Sequence, residues 1–352
     1  MIVDGRPYRT VWMEGATVRM INQLLLPHFF EIVDLPDHHA TATAIRDMWV
    51  RGAGAIGATA GYGMAQVMLE APDDAGFQAY IKEGTATLTG TRPTAQDLFY
   101  ATNKVLAAVE GAASVAAARQ AAVETAQAIA DENAAAGEAI GKYGAPLLHD
   151  GARMLTHCNA GWLAFVDWGS ALAPVYAAKR QGRSVFVYAD ETRPRSQGAR
   201  LTAWELVNEG IDHAILADNA SGFLMQRGEI DLVIVGTDRI AANGDVANKI
   251  GTYEKAVVAH ELGIPFYVTT PTSTVDPDCP DGDHVPIEER SPDEVLYSYG
   301  LLDSGEMGRV RLAPLQSTAR NVAFDVTPAR YITSIITERG IFEPQNILDA
   351  LR

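Results

Sequence analysis

From about residue 150 the chain alternates short apolar runs with helix-patterned segments, and that rhythm leaves few folds open. The runs are RMLTHCNA (153–160), SVFVYADE (184–191), HAILADNA (213–220), DLVIVGTD (231–238) and PFYVTTPT (265–272). Segments such as GARLTAWELVNEG and GTYEKAVVAHELG lie between them and end in glycine, a residue that stops helices. Continuous apolar strands alternating with helices predict a parallel sheet covered on both faces. Residues 148–352 therefore read as a Rossmann-like, doubly wound α/β domain.

Residues 1–147 read as an α-rich N-terminal domain with a small antiparallel sheet. Strands and turns fill the chain to about residue 36. A helix is expected from Thr41, with Ala44, Ile45, Met48 and Trp49 on one face. A second runs from about Ile56 to Glu70. The string RPTAQDLFYATNKVLAAVE predicts another, with Pro93 near its first position and Thr94 and Asp97 in its first turn. Residues 113–142 are Ala-rich and predict a long solvent-facing helix with an Ala seam.

Charge narrows the function classes. The 28 Lys and Arg against 44 Asp and Glu leave a net charge of −16. Such a chain has no electrostatic drive toward nucleic acid or an anionic membrane. A local basic pocket for a phosphate remains open. No run of roughly 18 apolar residues predicts a transmembrane helix, and the first residues lack a signal-peptide pattern. Cys158 and Cys279 are the only two cysteines, too few for a disulfide framework, so the expected compartment is cytoplasmic.

Each apolar run ends in polar or reactive residues. These include His157-Cys158-Asn159, Asp190 to Arg193, Asp218-Asn219, Thr237-Asp238-Arg239 and Thr270 to Thr274. Ligands of an open parallel sheet bind at the carboxyl ends of its strands. Helix capping is the competing explanation, expected for about half of these residues. The stretch 236–254, GTDRIAANGDVANKIGTYE, reads as a polar loop leaving a strand. Lys249 beside Gly251, at a helix start, suits an anion.

RGAGAIG has the Gly52, Gly54, Gly57 spacing of a dinucleotide fingerprint, but the preceding ATAIRDMWV is helix-patterned where a strand is needed. Arg51 and the backbone N–H groups after it read instead as an anion nest. No His or Cys spacing points to a metal. Asp190, Asp218 and Asp238 offer Mg²⁺ ligands, but Arg193 and Arg239 are expected to compete for them.

The strings RGAGAIG, TRPTAQDLF, THCNAG, ADETRPRSQGARLTAWEL, GTDRIAANGDVANKIGTY and FDVTP resemble the methylthioribose-1-phosphate isomerases. That family sits in the aldose-1-phosphate isomerase group, related to the regulatory subunits of translation initiation factor 2B. The resemblance implies a cytoplasmic homodimer that needs no cofactor and no metal. It implies conversion of 5-methylthioribose 1-phosphate to 5-methylthioribulose 1-phosphate, in methionine salvage. Alternatives are a related aldose 1-phosphate, such as 5-deoxyribose 1-phosphate, or a non-catalytic sugar-phosphate-binding subunit. Carried over residue by residue, the catalytic pair is Cys158 and Asp238. The substrate-binding positions are Arg51, Gly52, Ala53, Arg92, Gln197, Asn248 and Lys249.

The implied chemistry needs these residue types. A phosphate on the anomeric oxygen prevents the sugar from opening to a free aldehyde. Asp238 is expected to protonate the departing ring oxygen, and a Cys158 thiolate to take the C2 proton. Several positions depart from the family pattern: Gly54 for Pro, Thr237 for Ala, Val322 for Pro, and bulky Trp162, Phe165 and Trp168 after the HCNAG string. If those aromatics wall the C5 end of the substrate, they favour an apolar substituent over a second phosphate.

Overall fold

The computed structural model describes residues 1–92 and 96–352. Pro93 and Thr94, assigned above to a helix start, lie outside these residues. Among the described residues, no helix is long and apolar enough to cross a membrane.

The N-terminal part begins with an antiparallel sheet of Val11–Glu14, Thr17–Ile21 and Ile32–Leu35. Five helices follow: His38–Arg46, Ala53–Glu70, Phe77–Thr89, Gln96–Val109 and Val115–Gly144. The second is the hub, buried at every residue from Gly54 to Met68. A helix apolar all round belongs in a core, and its many Ala and Gly residues let neighbouring helices approach closely.

Two expectations shift here. The first helix starts earlier than Thr41 because Asp37 caps it, accepting the Ala40 N–H at 2.8 Å. It ends at Arg46, so Met48 and Trp49 lie beyond it, with Met48 in the left-handed region at φ 61°. The Ala-rich helix is only partly solvent-facing. Its seam of Ala118, Ala122, Ala126 and Ala130 is buried, at the i, i+4 spacing of one helix face.

The C-terminal part carries a seven-stranded sheet. From one edge the strands are Gly340–Phe342, Ser334–Thr337, Phe266–Thr269, Leu232–Val235, Ala152–Thr156, Val185–Asp190 and His213–Leu216. Gly340–Phe342 is antiparallel and the rest are parallel. Numbered along the chain, six of them stand in the order 3-2-1-4-5-6, that of a doubly wound sheet. Its switch point lies between Ala152–Thr156 and Leu232–Val235, which pair directly.

The stretch 236–254 is not a loop. Arg239–Ala241 and Val246–Lys249 form an antiparallel hairpin inside a second sheet with Val275–Asp276 and Phe324–Thr327. Polar side chains hid these strands, since each of the two is short and the second buries polar Asn248 and Lys249 beside its apolar residues. A further hairpin pairs Tyr297–Leu301 with Met307–Arg311.

The capping explanation of the strand ends fails. The helices beginning at Ala173, Ala220 and Thr252 have no side-chain N-cap. The strand-end groups bond sideways instead. Asp218 accepts the backbone N–H groups of Thr192 and Arg193 at 2.6 and 2.7 Å.

Candidate active site

Cys158 follows the first parallel strand in a left-handed conformation, φ 66°. A non-glycine residue there costs about 1–3 kcal/mol unless its surroundings hold it. Two threonines do so. The Cys158 N–H donates to Thr192 Oγ1 at 2.8 Å, and its carbonyl accepts from Thr202 Oγ1 at 2.8 Å. The thiol side chain is buried.

Asp238 follows the adjacent fourth strand. Its N–H donates to the Ala247 carbonyl at 3.0 Å. Thr237 Oγ1 donates to the same oxygen at 2.8 Å. The hydroxyl that departs from the family's usual Ala thus fastens the turn carrying Asp238 to the hairpin.

Glu205 organises the segment after Cys158. This buried carboxylate accepts from Asn159 Nδ2 (2.8 Å), Trp162 N (2.8 Å), Leu163 N (3.1 Å) and the Tyr176 hydroxyl (2.6 Å). Burial pushes it up to about 7, against the pull of those donors. Asn159 in turn accepts from Arg51, which arrives from the N-terminal part.

One cavity collects most of the site residues expected from sequence. Cys158, Asp238, Arg51, Gly52, Ala53, Arg92, Gln197 and Lys249 all line it. Asn248 does not. Strand residues alternate in direction, so Ala247 and Lys249 face the cavity while the Asn248 amide donates to Thr252 Oγ1 at 3.0 Å. Reading this segment as a loop concealed that parity. The cavity also takes in Met48, Asp97, Arg239, Val285, Ile287, Arg290 and Phe324. Asp97, Arg239 and Phe324 lay in strings already singled out; the rest come from segments with no telling pattern.

The expected anion nest falls at the start of the central helix. Gly52 precedes the central helix at φ 89°, and a Cβ there would come within 2.4 Å of Ala164. No side chain caps this helix, and Arg51, Gly52 and Ala53 at its start line the cavity. The second anion seat does not survive. At the helix beginning with Thr252, the Gly251 and Tyr253 N–H groups already donate to Asp325 at 2.7 and 3.2 Å. Lys249 is buried, lies 3.9 Å from the centre of the Phe324 ring, and donates to the Ala323 carbonyl. Burial lowers its pKa, aided by Arg290 and Arg51, while Cys158 and Asp238 pull it back up.

The aromatic wall is elsewhere. Trp162, Phe165 and Trp168 are absent from the cavity lining. Trp162 is buried against Trp204, and Arg180 lies over the Trp168 ring at 3.8 Å. Phe165 occupies the space a side chain at residue 54 would need: a Cβ there would meet Phe165 at 2.5 Å and Asn133 at 2.4 Å. The two departures, Gly54 and Phe165, are therefore complementary. The apolar surface in the cavity comes from Met48, Ile56, Val285, Ile287 and Phe324.

His157, Asp190 and Asp218 bring ligand atoms within 4.8 Å of one another. Spacing along the chain could not reveal this grouping. The cation beside it is not Arg193 or Arg239. Lys255 Nζ lies 3.4 Å from Asp190, and His157 Nδ1 lies 2.9 Å from the same carboxylate. Arg193 bonds to backbone carbonyls, and Arg239 pairs with Asp276 at 3.0 Å.

The geometry has clear relatives. A profile of the Initiation factor 2 subunit family matches residues 49–344. A methylthioribose-1-phosphate isomerase of Methylocella silvestris is 50% identical, over 97% of this chain and 96% of that protein. The crystal structure of 5-methylthioribose 1-phosphate isomerase from Pyrococcus horikoshii OT3 superposes with TM-score 0.88 at 42% identity, over 98% and 96% of the two chains. That of translation initiation factor eIF-2B, subunit delta, from A. fulgidus gives 0.84 at 39% identity, over 97% and 98%. The chain belongs to the initiation factor 2 subunit family, on the branch that holds the methylthioribose-1-phosphate isomerases.

Proposed function

We propose that the chain is an aldose–ketose isomerase that converts 5-methylthioribose 1-phosphate to 5-methylthioribulose 1-phosphate, the step its relatives' names describe. One observation carries the reading: a thiol and a carboxyl, Cys158 and Asp238, share a cavity with Arg51, Arg92 and Lys249. The phosphate sits against those cations and the N–H groups that open the central helix.

Asp238 gives its proton to the ring oxygen as the C1–O bond breaks. The Cys158 thiolate removes the C2 proton, leaving an enol phosphate. Cys158 returns a proton to C1 while the Asp238 carboxylate takes the one on the C2 oxygen. The ketose forms, and both groups return to their starting states. Arg51, Arg92 and Lys249 stabilise the charge that develops in between.

The apolar cavity lining is the contact for the methylthio group, in place of the three aromatics. Arg239 and Arg290 offer little to a second phosphate. The first is paired with Asp276, and the second lies 3.4 Å from Glu288 and 3.9 Å from Glu294. The reading extends to a domain boundary at residues 147/148, a homodimer, a cytoplasmic location and proton transfer without a metal.

The test is purified protein with 5-methylthioribose 1-phosphate, 5-deoxyribose 1-phosphate and ribose 1,5-bisphosphate, followed by NMR. Ketose signals should grow fastest from the methylthio sugar and slowest from the bisphosphate. Binding without conversion of any of them would make the chain a sugar-phosphate-binding subunit instead.

A further inference from the structure

Asp97 lies in the first turn of the helix Gln96–Val109, only 5% exposed. It lines the same cavity as Cys158 and Asp238. Its Oδ2 has no hydrogen-bond partner among the described residues. Its Cβ and carbonyl are held against the central helix, where a Cβ on Gly57 would come within 3.0 Å of both. That packing fixes the Asp97 main chain beside the central helix, and burying a carboxyl oxygen unpaired is costly.

The lining shows what is missing. Arg51, Arg92, Arg239, Lys249 and Arg290 are all cations, and such groups only donate hydrogen bonds. Gln96 and Gln197 add neutral amide acceptors, and Gln197 Oε1 is also buried without a partner among the described residues. What the cations leave short is a charged acceptor. A sugar hydroxyl must also donate its own proton to something. Asp238 is engaged in proton transfer. Asp97 is the remaining carboxyl in the lining. We propose that its carboxylate accepts a hydrogen bond from one hydroxyl of the substrate's 2,3-diol, which makes Asp97 a specificity-determining residue. This rests on the aldose 1-phosphate reading above. Burial raises Asp97 to about 6, so at pH 7.5 it is the anionic acceptor the assignment needs.

The experiment measures binding by calorimetry at pH 7.5 in the Cys158→Ser background, where turnover is suppressed. Ligands are ribose 1-phosphate and its 2-deoxy and 3-deoxy analogues. With Asp97 intact, one deoxy analogue should bind about ten- to hundredfold more weakly than the parent. Asp97→Ala should weaken the parent by a similar factor and erase that difference. Asp97→Asn keeps the shape and one acceptor oxygen, and should retain part of it. Asn also gives the answer if the Ala variant does not fold. Undiminished discrimination at both hydroxyls in the Asp97 variants would overturn the assignment. So would equal binding of all three ligands with Asp97 intact. Failure of the isomerase reading is seen separately, as wild-type protein that binds these ligands but converts no 5-methylthioribose 1-phosphate.

Discussion

Arg51 donates one guanidinium nitrogen to both oxygens of Asn159, the side-chain oxygen at 2.6 Å and the backbone carbonyl at 2.9 Å. An arginine expected to grip phosphate is thus also bolted to the residue after Cys158. Arg51→Ala should therefore raise KM and lower kcat together. The lost charged hydrogen bonds correspond to about 1.5–3 kcal/mol each. Arg51→Lys should recover part of the binding and less of the turnover, because one ammonium nitrogen cannot hold both Asn159 oxygens and also present the further N–H groups that the guanidinium keeps for phosphate. Steady-state kinetics on the methylthio sugar check this. An effect on KM alone would separate phosphate binding from the position of Cys158.

The proposed proton-transfer roles rest on single side chains. Cys158→Ser and Asp238→Asn should each reduce kcat by ~10²–10⁴-fold, with much smaller changes in substrate affinity. Deuterium incorporation at C1 of the product, followed by NMR in D₂O, reports on Cys158 directly. Near-wild-type turnover in either variant would remove that residue from the mechanism.

Glu205 makes stability depend on pH in a stated direction. Its folded-state pKa of about 7 lies above the ordinary 4.5. Between those values the folded chain holds a proton that the unfolded chain has released. This group's contribution is therefore largest below pH 4.5 and declines as pH rises toward 7. Glu205→Gln removes the titration. The stability difference between pH 5 and pH 8, measured by urea unfolding, should shrink by on the order of 2–3 kcal/mol. An unchanged difference would assign the pH dependence to other raised acids, Asp97 and Asp325 near 6, and Asp190 and Glu191.

Gly54 and Phe165 should behave as a pair. Gly54→Ala places a methyl into Phe165 and Asn133 and should destabilise the chain by about 1–3 kcal/mol, the usual cost of overpacking. It also displaces the helix start beside Arg51, so KM should rise. Adding Phe165→Leu should return part of both losses. Thermal unfolding and KM for the single and double variants decide it; simple additivity would mean the two positions are not coupled.

The sheet and most of the cavity were legible because the information was local. Apolar runs announced the strands, and the strings around Cys158, Asp238 and Arg51 carried the resemblance. What escaped depended on geometry across the chain. Asn248 turned away because its segment is a strand, held between Arg239–Ala241 and the distant Phe324–Thr327. The three aromatics looked like a pocket wall from their closeness to Cys158, yet the Glu205 hydrogen bonds draw the segment carrying Trp162 into the core beside Trp204. Arg290 reaches the cavity from a distant segment, held within 3.4 Å of Glu288, and nothing in its neighbours along the chain points there.

Cys158 and Asp238 come from two strand ends, whereas Arg51 and Arg92 arrive from the N-terminal part. On the proposed mechanism protons move at the two strand ends, while the phosphate is held mainly from the N-terminal part, with Lys249 reaching in from the hairpin. On that reading a substitution at Cys158 or Asp238 would remove proton transfer and leave Arg51, Arg92 and Lys249 in the cavity lining. An ancestor built this way has a short path from catalyst to sensor. A family whose structures include both an isomerase and an initiation-factor subunit is the kind of lineage such a division of labour permits.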